Sequence, residues 1–96
     1  KYVMLGMTDS LARGLAPNVR INAVAPGHTL VSDLQSEQGF TKAQLSSPLG
    51  FGPSPEDVAE AVCYLMNARA VTGQVIYVDS GERFLSRSRD VVFETE

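Results

Sequence analysis

The sequence has little of several residue types, and each shortage excludes a class of protein. Its 96 residues include one cysteine, Cys63, so an internal disulfide is excluded and a reducing cytoplasm is the favoured location. Eight Lys and Arg stand against 11 Asp and Glu, and this net charge of −3 argues against a dedicated nucleic-acid surface. No apolar run approaches the ~18 residues of a membrane span, and the first residues lack a signal-peptide layout. We therefore expect neither nucleic acid nor membrane as a partner.

The remaining composition is that of one soluble globular domain, or of a piece of one. Hydrophobic residues make up 44% of the chain and charged residues 20%. A chain of this length can bury only a modest core. No internal repeat or low-complexity tract interrupts it.

Residues 1–16 predict a helix that is already running at residue 1. Its apolar residues recur at spacings of three and four, which places a stripe on one side of the helix: Met4, Met7, Leu11 and Leu15. No capping residue precedes this stripe, whereas Pro17 marks its end clearly. We therefore expect the polypeptide to begin further upstream and this chain to be its C-terminal part.

Residues 19–25 predict a short strand covered on both faces, the type found in parallel sheets. Pro26 lacks a backbone donor and Gly27 allows conformations closed to other residues, so strand pairing should end there. Ligands of open α/β sheets bind just outside the carboxyl ends of the strands, where Thr29 offers a hydroxyl. A plain turn that binds nothing is the alternative interpretation.

Residues 32–53 form a long polar connection that also carries scattered leucines and phenylalanines. Such a connection is longer than the linkers that merely join two elements of a compact domain, and this favours a substrate loop or lid. Short helical turns are predicted within it at 33–38 and 41–46. An ordinary surface loop whose apolar side chains pack against one another is the alternative explanation of the same pattern.

The clearest helix covers residues 55–67. Ser54 suits the N-cap, Pro55 the first helical position, and an apolar face follows at helical spacing. Cys63 lies next to that face and is interpreted as a structural thiol, not a nucleophile. A strand is predicted at 74–78, between Gly73 and an Asp-Ser-Gly turn. The tail, 82–96, contains too many large apolar residues for a disordered segment, so we expect it to dock.

This order of helix, strand, excursion, helix, strand and tail predicts an α/β fold with parallel strands and crossover helices. Two strands are too few to bury these faces, which again indicates further sheet upstream.

The runs "GMTDSLARGLAPNVRINAVAPG" and "PSPEDVAEAVCYLMNARAVTGQVIYVDSG" make the chain resemble the C-terminal half of the short-chain dehydrogenases/reductases. The resemblance covers residues 1 to about 81 in order and spacing. It implies a three-layer α/β/α fold, the C-terminal part of a Rossmann-type doubly wound parallel sheet. It also implies an NAD(P)-dependent oxidoreductase that moves hydride between a nicotinamide and a carbonyl, alcohol or pterin-type substrate.

Lys1 falls where the resemblance places the lysine of a catalytic Tyr-x-x-x-Lys motif. The tyrosine would lie four positions upstream, so this chain alone would be inactive. An ammonium one helical turn away favours a phenolate and lowers the phenol's pKa from about 10 towards the working range. By resemblance, Lys1 also holds the ribose hydroxyls of the cofactor; without it, an exposed lysine would be the interpretation.

The same resemblance assigns the turn after the first strand to the nicotinamide. The backbone at Pro26 and Gly27 would contact the ring, and Thr29 would hold its carboxamide, with His28 and Leu30 beside it. Many family members carry this threonine one or two places later. His28 is interpreted as an exposed turn residue, not a proton shuttle, and no second metal ligand stands near it, so no metal site is expected.

Three stretches, "PGHTL", "PLGFGPSPEDVAEAV" and "VDSGERFL", resemble the pteridine-reductase-like members most. That likeness implies a dihydropterin-type substrate and favours NADPH, although the residues that choose between NADP and NAD are expected upstream. Family members form dimers and tetramers, so the tail is expected to dock on a neighbouring subunit of a homodimer or homotetramer. A reductase-fold binding or regulatory protein without catalysis is the alternative function, and a stand-alone module of 96 residues is a second one.

Overall fold

A computed structural model describes residues 2–29 and 37–85 of the chain. The described elements, in order, are α1 (Tyr2–Leu15), β1 (Ala23–Pro26), α2 (Glu37–Leu45), α3 (Pro55–Asn67), β2 (Val75–Val78) and a 3₁₀ turn (Glu82–Phe84). Lys1, Leu30, most of the helical turn expected at 33–38 and the tail from residue 86 lie outside them. None of the helices in these two ranges is long and apolar enough to cross a membrane.

The two strands pair in parallel, with Ala23 opposite Val75 and Pro26 opposite Val78. Parallel neighbours need a long crossover connection, and the segment that contains α3 supplies it. The first strand begins at Ala23, later than the sequence predicts. Before that point backbone and side-chain bonds are mixed: the amide of Gly73 donates to the carbonyl of Ile21. Asn22 Nδ2 donates to the carbonyl of Val71, and Asn22 Oδ1 accepts from the amide of Gln74.

The two long helices lie on opposite faces of this pair of strands. Alternation along a strand sends neighbouring side chains to opposite faces. Val24 lines a cleft together with Val62 and Leu65 of α3, which contacts both strands. Its strand neighbour Ala23 and the opposite residue, Val75, line a cavity with the first turns of α1. The arrangement is a helix–sheet–helix sandwich built on two strands.

Helix α3 is anchored at both ends. Ser54 Oγ accepts from the amide of Asp57 at 3.1 Å, and the Asp57 carboxylate accepts from the amide of Ser54 at 2.9 Å, which completes a capping box. At the other end, the Arg20 guanidinium donates to four backbone carbonyls, those of Leu65, Met66, Ala68 and Val71. Residue 20, just before β1, thus fixes the end of the crossover helix.

The long connection forms a single described helix, Glu37–Leu45, where the sequence predicts separate turns at 33–38 and 41–46. Gly39, which suggests a break, is buried within this helix. The helix thus continues through a residue of low intrinsic helix propensity.

Few apolar side chains are buried among the described residues. Ala12 and Leu65 form the buried apolar core, at 5% and 8% exposure. The stripe on α1 that the sequence predicts is largely uncovered, with Met4 at 61% and Met7 at 53% exposure. Apolar helix faces of this kind need a further layer to cover them.

Candidate functional site

The segment Pro26–Thr29 follows β1 at the carboxyl end of the sheet; we call it the cofactor turn after the role that the sequence resemblance leads us to expect. The amide of Gly27 donates to the carbonyl of Val78 at 3.0 Å, so the ladder reaches one residue beyond the paired strands. A Cβ on Gly27 would lie 2.9 Å from both Cα and Cβ of Asp79. Residue 27 is therefore a glycine because the two strand ends approach each other too closely for any side chain.

His28 is held by a residue that comes after β2. Its Nδ1 lies 2.7 Å from Oε1 of Glu82, and the two side chains are 18% and 26% exposed. The expectation that His28 is an exposed turn residue is therefore wrong. Its ring is turned towards Glu82 because the two strand ends lie side by side, and this partnership covers most of the imidazole.

Asp79 organises the segment that carries Glu82. Its buried carboxylate accepts from the amide of Gly81 through Oδ1 and from the amide of Arg83 through Oδ2, each at 3.0 Å. Its carbonyl accepts from the amide of Glu82 at 2.9 Å. The Asp-Ser-Gly turn predicted from the sequence therefore becomes a capped 3₁₀ turn that points Glu82 at His28.

The long connection also reaches this end of the sheet. Gln44 Nε2 in α2 donates to the carbonyl of His28 at 2.9 Å, and the amide of Leu49 donates to the carbonyl of Ser80 at 3.1 Å. Ser47 Oγ lies 2.7 Å from the carbonyl of Gln44 and 2.8 Å from that of Phe51, so its single hydroxyl proton is shared between two acceptors at the bend after α2. Residues 44–49 thus lie against the ends of both strands, the position expected for a loop that folds over a site.

A cavity of about 570 Å³ opens between α1 and the cofactor turn. Helix α1 contributes Met4 and Leu5 and strand β2 contributes Val75. The remaining lining residues come from β1, the cofactor turn and the segment after β2: Ala23, Val24, Ala25, Pro26, Gly27, His28, Thr29 and Glu82. The cavity is mainly apolar, and its few polar groups are concentrated at the turn.

The candidate residues of the turn lie at this cavity. Thr29 Oγ1 donates to the carbonyl of Gly27 at 3.0 Å, and its oxygen can still accept a hydrogen bond. The structure brings Pro26, Gly27, His28 and Thr29 to one cavity. The predicted Lys1 and Leu30 lie outside the described residues, although the adjoining first turns of α1 line this cavity.

Sequence reasoning missed Gln44, Asp79 and Glu82 as contributors to the site. The Asp-Ser-Gly turn after β2 is the local signal for Asp79 and Glu82, whereas nothing near Gln44 in the sequence indicates its contact with the turn. Within residues 2–29 and 37–85, no group of three or more His, Cys, Asp and Glu side chains is placed to hold a metal ion.

Comparison with known proteins agrees with this architecture. A family model described as enoyl-(acyl carrier protein) reductase matches residues 1–82. A 1,2-dihydroxy-1,2-dihydronaphthalene dehydrogenase of Pseudomonas putida is 38% identical, over 84% of this chain and 38% of that protein. A 3-oxoacyl-(acyl-carrier-protein) reductase of Aquifex aeolicus is 45% identical, over 84% of this chain and 35% of its own length.

Solved structures give the same result. FolM alternative dihydrofolate reductase 1 from Brucella canis, complexed with NADP, superposes with a TM-score of 0.86 at 34% identity. The match covers 94% of this chain and 36% of that one. A small-chain dehydrogenase in complex with NADPH superposes with a TM-score of 0.77 at 28% identity, over 88% of this chain and 41% of the other.

The fold is therefore the C-terminal part of a Rossmann-type α/β sheet, as the sequence predicts. The chain belongs to the short-chain dehydrogenase/reductase family, a family of oxidoreductases. It spans 38% of the dehydrogenase and 35% of the acyl-carrier-protein reductase, so it corresponds to about a third of each.

Proposed function

We propose that this chain is the C-terminal part of an NAD(P)-dependent oxidoreductase and that the cofactor turn binds the nicotinamide. One observation carries the proposal: α1, β1 and the turn line one mainly apolar cavity that runs along β1 to the carboxyl end of the sheet. Its volume of about 570 Å³ lies within the range of about 300–1,000 Å³ typical of small-molecule sites. NADP-bound and NADPH-bound neighbours of the same fold support the assignment.

The residues at the cavity fit a nicotinamide. Apolar side chains such as Met4 and Leu5 suit the faces of a flat ring, and the backbone of Pro26 and Gly27 can approach its edge. Thr29 Oγ1 already donates to a carbonyl, so its remaining role is to accept from the N–H of a carboxamide. His28 and Leu30 lie beside it in the sequence.

Lys1 is proposed as the catalytic residue of this chain. Its ammonium would stabilise the phenolate of a tyrosine four positions upstream and donate to the ribose hydroxyls of the cofactor. When bound, the nicotinamide supplies or accepts the hydride. The residues of the chain bind and orient that cofactor and, through Lys1, help the phenol exchange its proton at neutral pH.

The substrate we propose is a dihydropterin-type ring, reduced with NADPH. The three sequence stretches that resemble pteridine reductases support it, as does the superposition with an alternative dihydrofolate reductase at a TM-score of 0.86. Ketones and their alcohols are the second substrate class, because dehydrogenase and acyl-carrier-protein reductase relatives are 38% and 45% identical.

The test uses the intact protein that carries this sequence. Oxidation of NADPH and of NADH is followed by absorbance against a panel of dihydropterins and ketones, and binding of each cofactor is measured by calorimetry. We expect turnover with at least one dihydropterin. Binding without turnover of any substrate would instead favour a reductase-fold regulatory protein, and an absence of nucleotide binding would overturn the proposal.

Thr29→Val tests the role of the turn. The substitution removes the hydroxyl while the side-chain volume stays nearly constant. We expect cofactor binding to weaken about tenfold, because one hydrogen bond to the carboxamide of the nicotinamide is lost. Thr29→Ser keeps the hydroxyl and is the matched control, with binding expected to stay close to that of the parent. Equal cofactor affinities in all three proteins would remove Thr29 from the site.

A further inference from the structure

Three separate segments hold the cofactor turn in place. Gly27 packs against Asp79 at the start of the segment after β2, and its amide is bonded to Val78. The carbonyl of His28 accepts from Gln44 of α2, and its ring is bonded to Glu82. Both the backbone and the side chain of His28 are thus fixed by residues distant in sequence, directly before Thr29.

Glu82 is the ionic member of this arrangement. At 26% exposure it is largely shielded, and it lines the same cavity as Thr29. Its own position is set by Asp79, whose carboxylate caps the turn on both sides of Glu82. The backbone of Glu82 is therefore held by the hydrogen bonds of Asp79, and this places the Glu82 carboxylate next to His28.

The contact between His28 and Glu82 determines how the imidazole ring is oriented and which of its nitrogens donates. A carboxylate without a proton only accepts hydrogen bonds, so the 2.7 Å contact assigns the proton to Nδ1 of His28 whenever Glu82 is a carboxylate. A hydrogen bond to a charged acceptor is about twice as strong as a neutral one. With the ring and the carbonyl of His28 both engaged, the backbone that leads into Thr29 has little freedom left.

We propose that Glu82 is a positioning residue: through His28 it holds the cofactor turn in the conformation that binds the nicotinamide. The inference rests on the proposed function, because it needs a nicotinamide at the turn. Glu82 acts on the binding of the cofactor and not on the chemical step. Its loss should therefore raise the KM for the cofactor while kcat changes little.

The experiment compares Glu82→Ala, Glu82→Gln and Glu60→Ala in the intact protein. Glu60→Ala removes an exposed carboxylate from α3 and is the matched control. Dissociation constants for NADPH and NADH are measured by calorimetry, and KM and kcat are measured with the best substrate. Circular dichroism melting establishes that each variant is folded.

We expect Glu82→Ala to weaken cofactor binding about tenfold, with kcat within about twofold of the parent. Glu82→Gln retains an acceptor for Nδ1–H and should recover most of that affinity, and Glu60→Ala should bind normally. His28→Asn supplies an amide donor in place of Nδ1–H and should bind better than His28→Ala.

Two results would overturn the inference while the proposed function stands: equal cofactor affinity in folded Glu82→Ala and the parent, or a loss confined to kcat. Affinity in Glu82→Gln as low as in Glu82→Ala would also contradict it, because the proposal requires only the hydrogen bond. A parent protein that binds neither NADPH nor NADH would remove both proposals, since Glu82 would then have no cofactor to position.

Discussion

At the scale of single residues, the site depends on how closely the two strand ends approach each other. Gly27 and Asp79 are in backbone contact, and this contact brings His28 within 2.7 Å of Glu82. The glycine is therefore a packing requirement of the sheet and, through it, a requirement of the candidate site. Its conformational freedom is secondary.

Gly27→Ala should destabilise the intact protein by about 1–3 kcal/mol, because the new Cβ meets the backbone of Asp79, which cannot move aside as a side chain can. The measurement is the free energy of unfolding in urea. Gly14→Ala is the control: nothing lies within 4 Å of its Cβ, so stability should hold or rise by about 0.5–1 kcal/mol. Equal stability of Gly27→Ala and the parent would contradict the close approach.

The place where β1 ends in a turn could be predicted from the sequence, whereas the residues that contact this turn could not. Pro26 and Gly27 signal the end of a strand by their own backbone chemistry. The contact between His28 and Glu82 joins residues 54 apart, and no local pattern encodes which side chain will face the imidazole. The sequence therefore predicts an exposed His28, and this prediction is wrong. The residue that shields the imidazole, Glu82, is brought to it only by folding.

At the scale of elements, the crossover helix is the part that the sequence predicts best. The capping box of Ser54 and Asp57 lies within four residues, so α3 begins at Pro55 as the sequence indicates. The extent of β1 depends instead on β2 and on the side chain of Asn22, which are about 50 residues apart in the chain. A local signal therefore sets the start of α3, while contacts between distant residues set its end and the ends of the strands.

Arg20→Ala should destabilise the intact protein by about 1–2 kcal/mol, because four carbonyls at the end of α3 lose a cationic donor. Arg20→Lys should recover little of this, since a lysine ammonium lacks the planar fork that reaches several carbonyls at once. Urea unfolding measures both variants. Arg69→Ala, which removes another exposed arginine, is the control; a similar loss in that variant would show that general charge and not this contact is responsible.

At the scale of the whole molecule, the described chain leaves unusually much apolar surface open. Large apolar side chains are more than half exposed on several elements: Val3, Met4, Met7, Leu45, Leu49, Phe51, Tyr64, Met66 and Phe84. Two strands cannot cover two helices, and the match covers 38% of the dehydrogenase and 35% of the acyl-carrier-protein reductase. Apart from Met4, which lines the candidate cavity, these side chains are available for packing against a further layer of such a fold.

The isolated 96-residue chain should therefore melt without a cooperative transition and bind a hydrophobic dye strongly, while the intact protein melts cooperatively and binds little. Among the described residues, Leu65 and Ala12 form the buried apolar core, which leaves little apolar burial to offset the conformational entropy lost on folding. Calorimetry and dye fluorescence of both proteins measure this, and a sharp melting transition of the isolated chain would instead establish a stand-alone module.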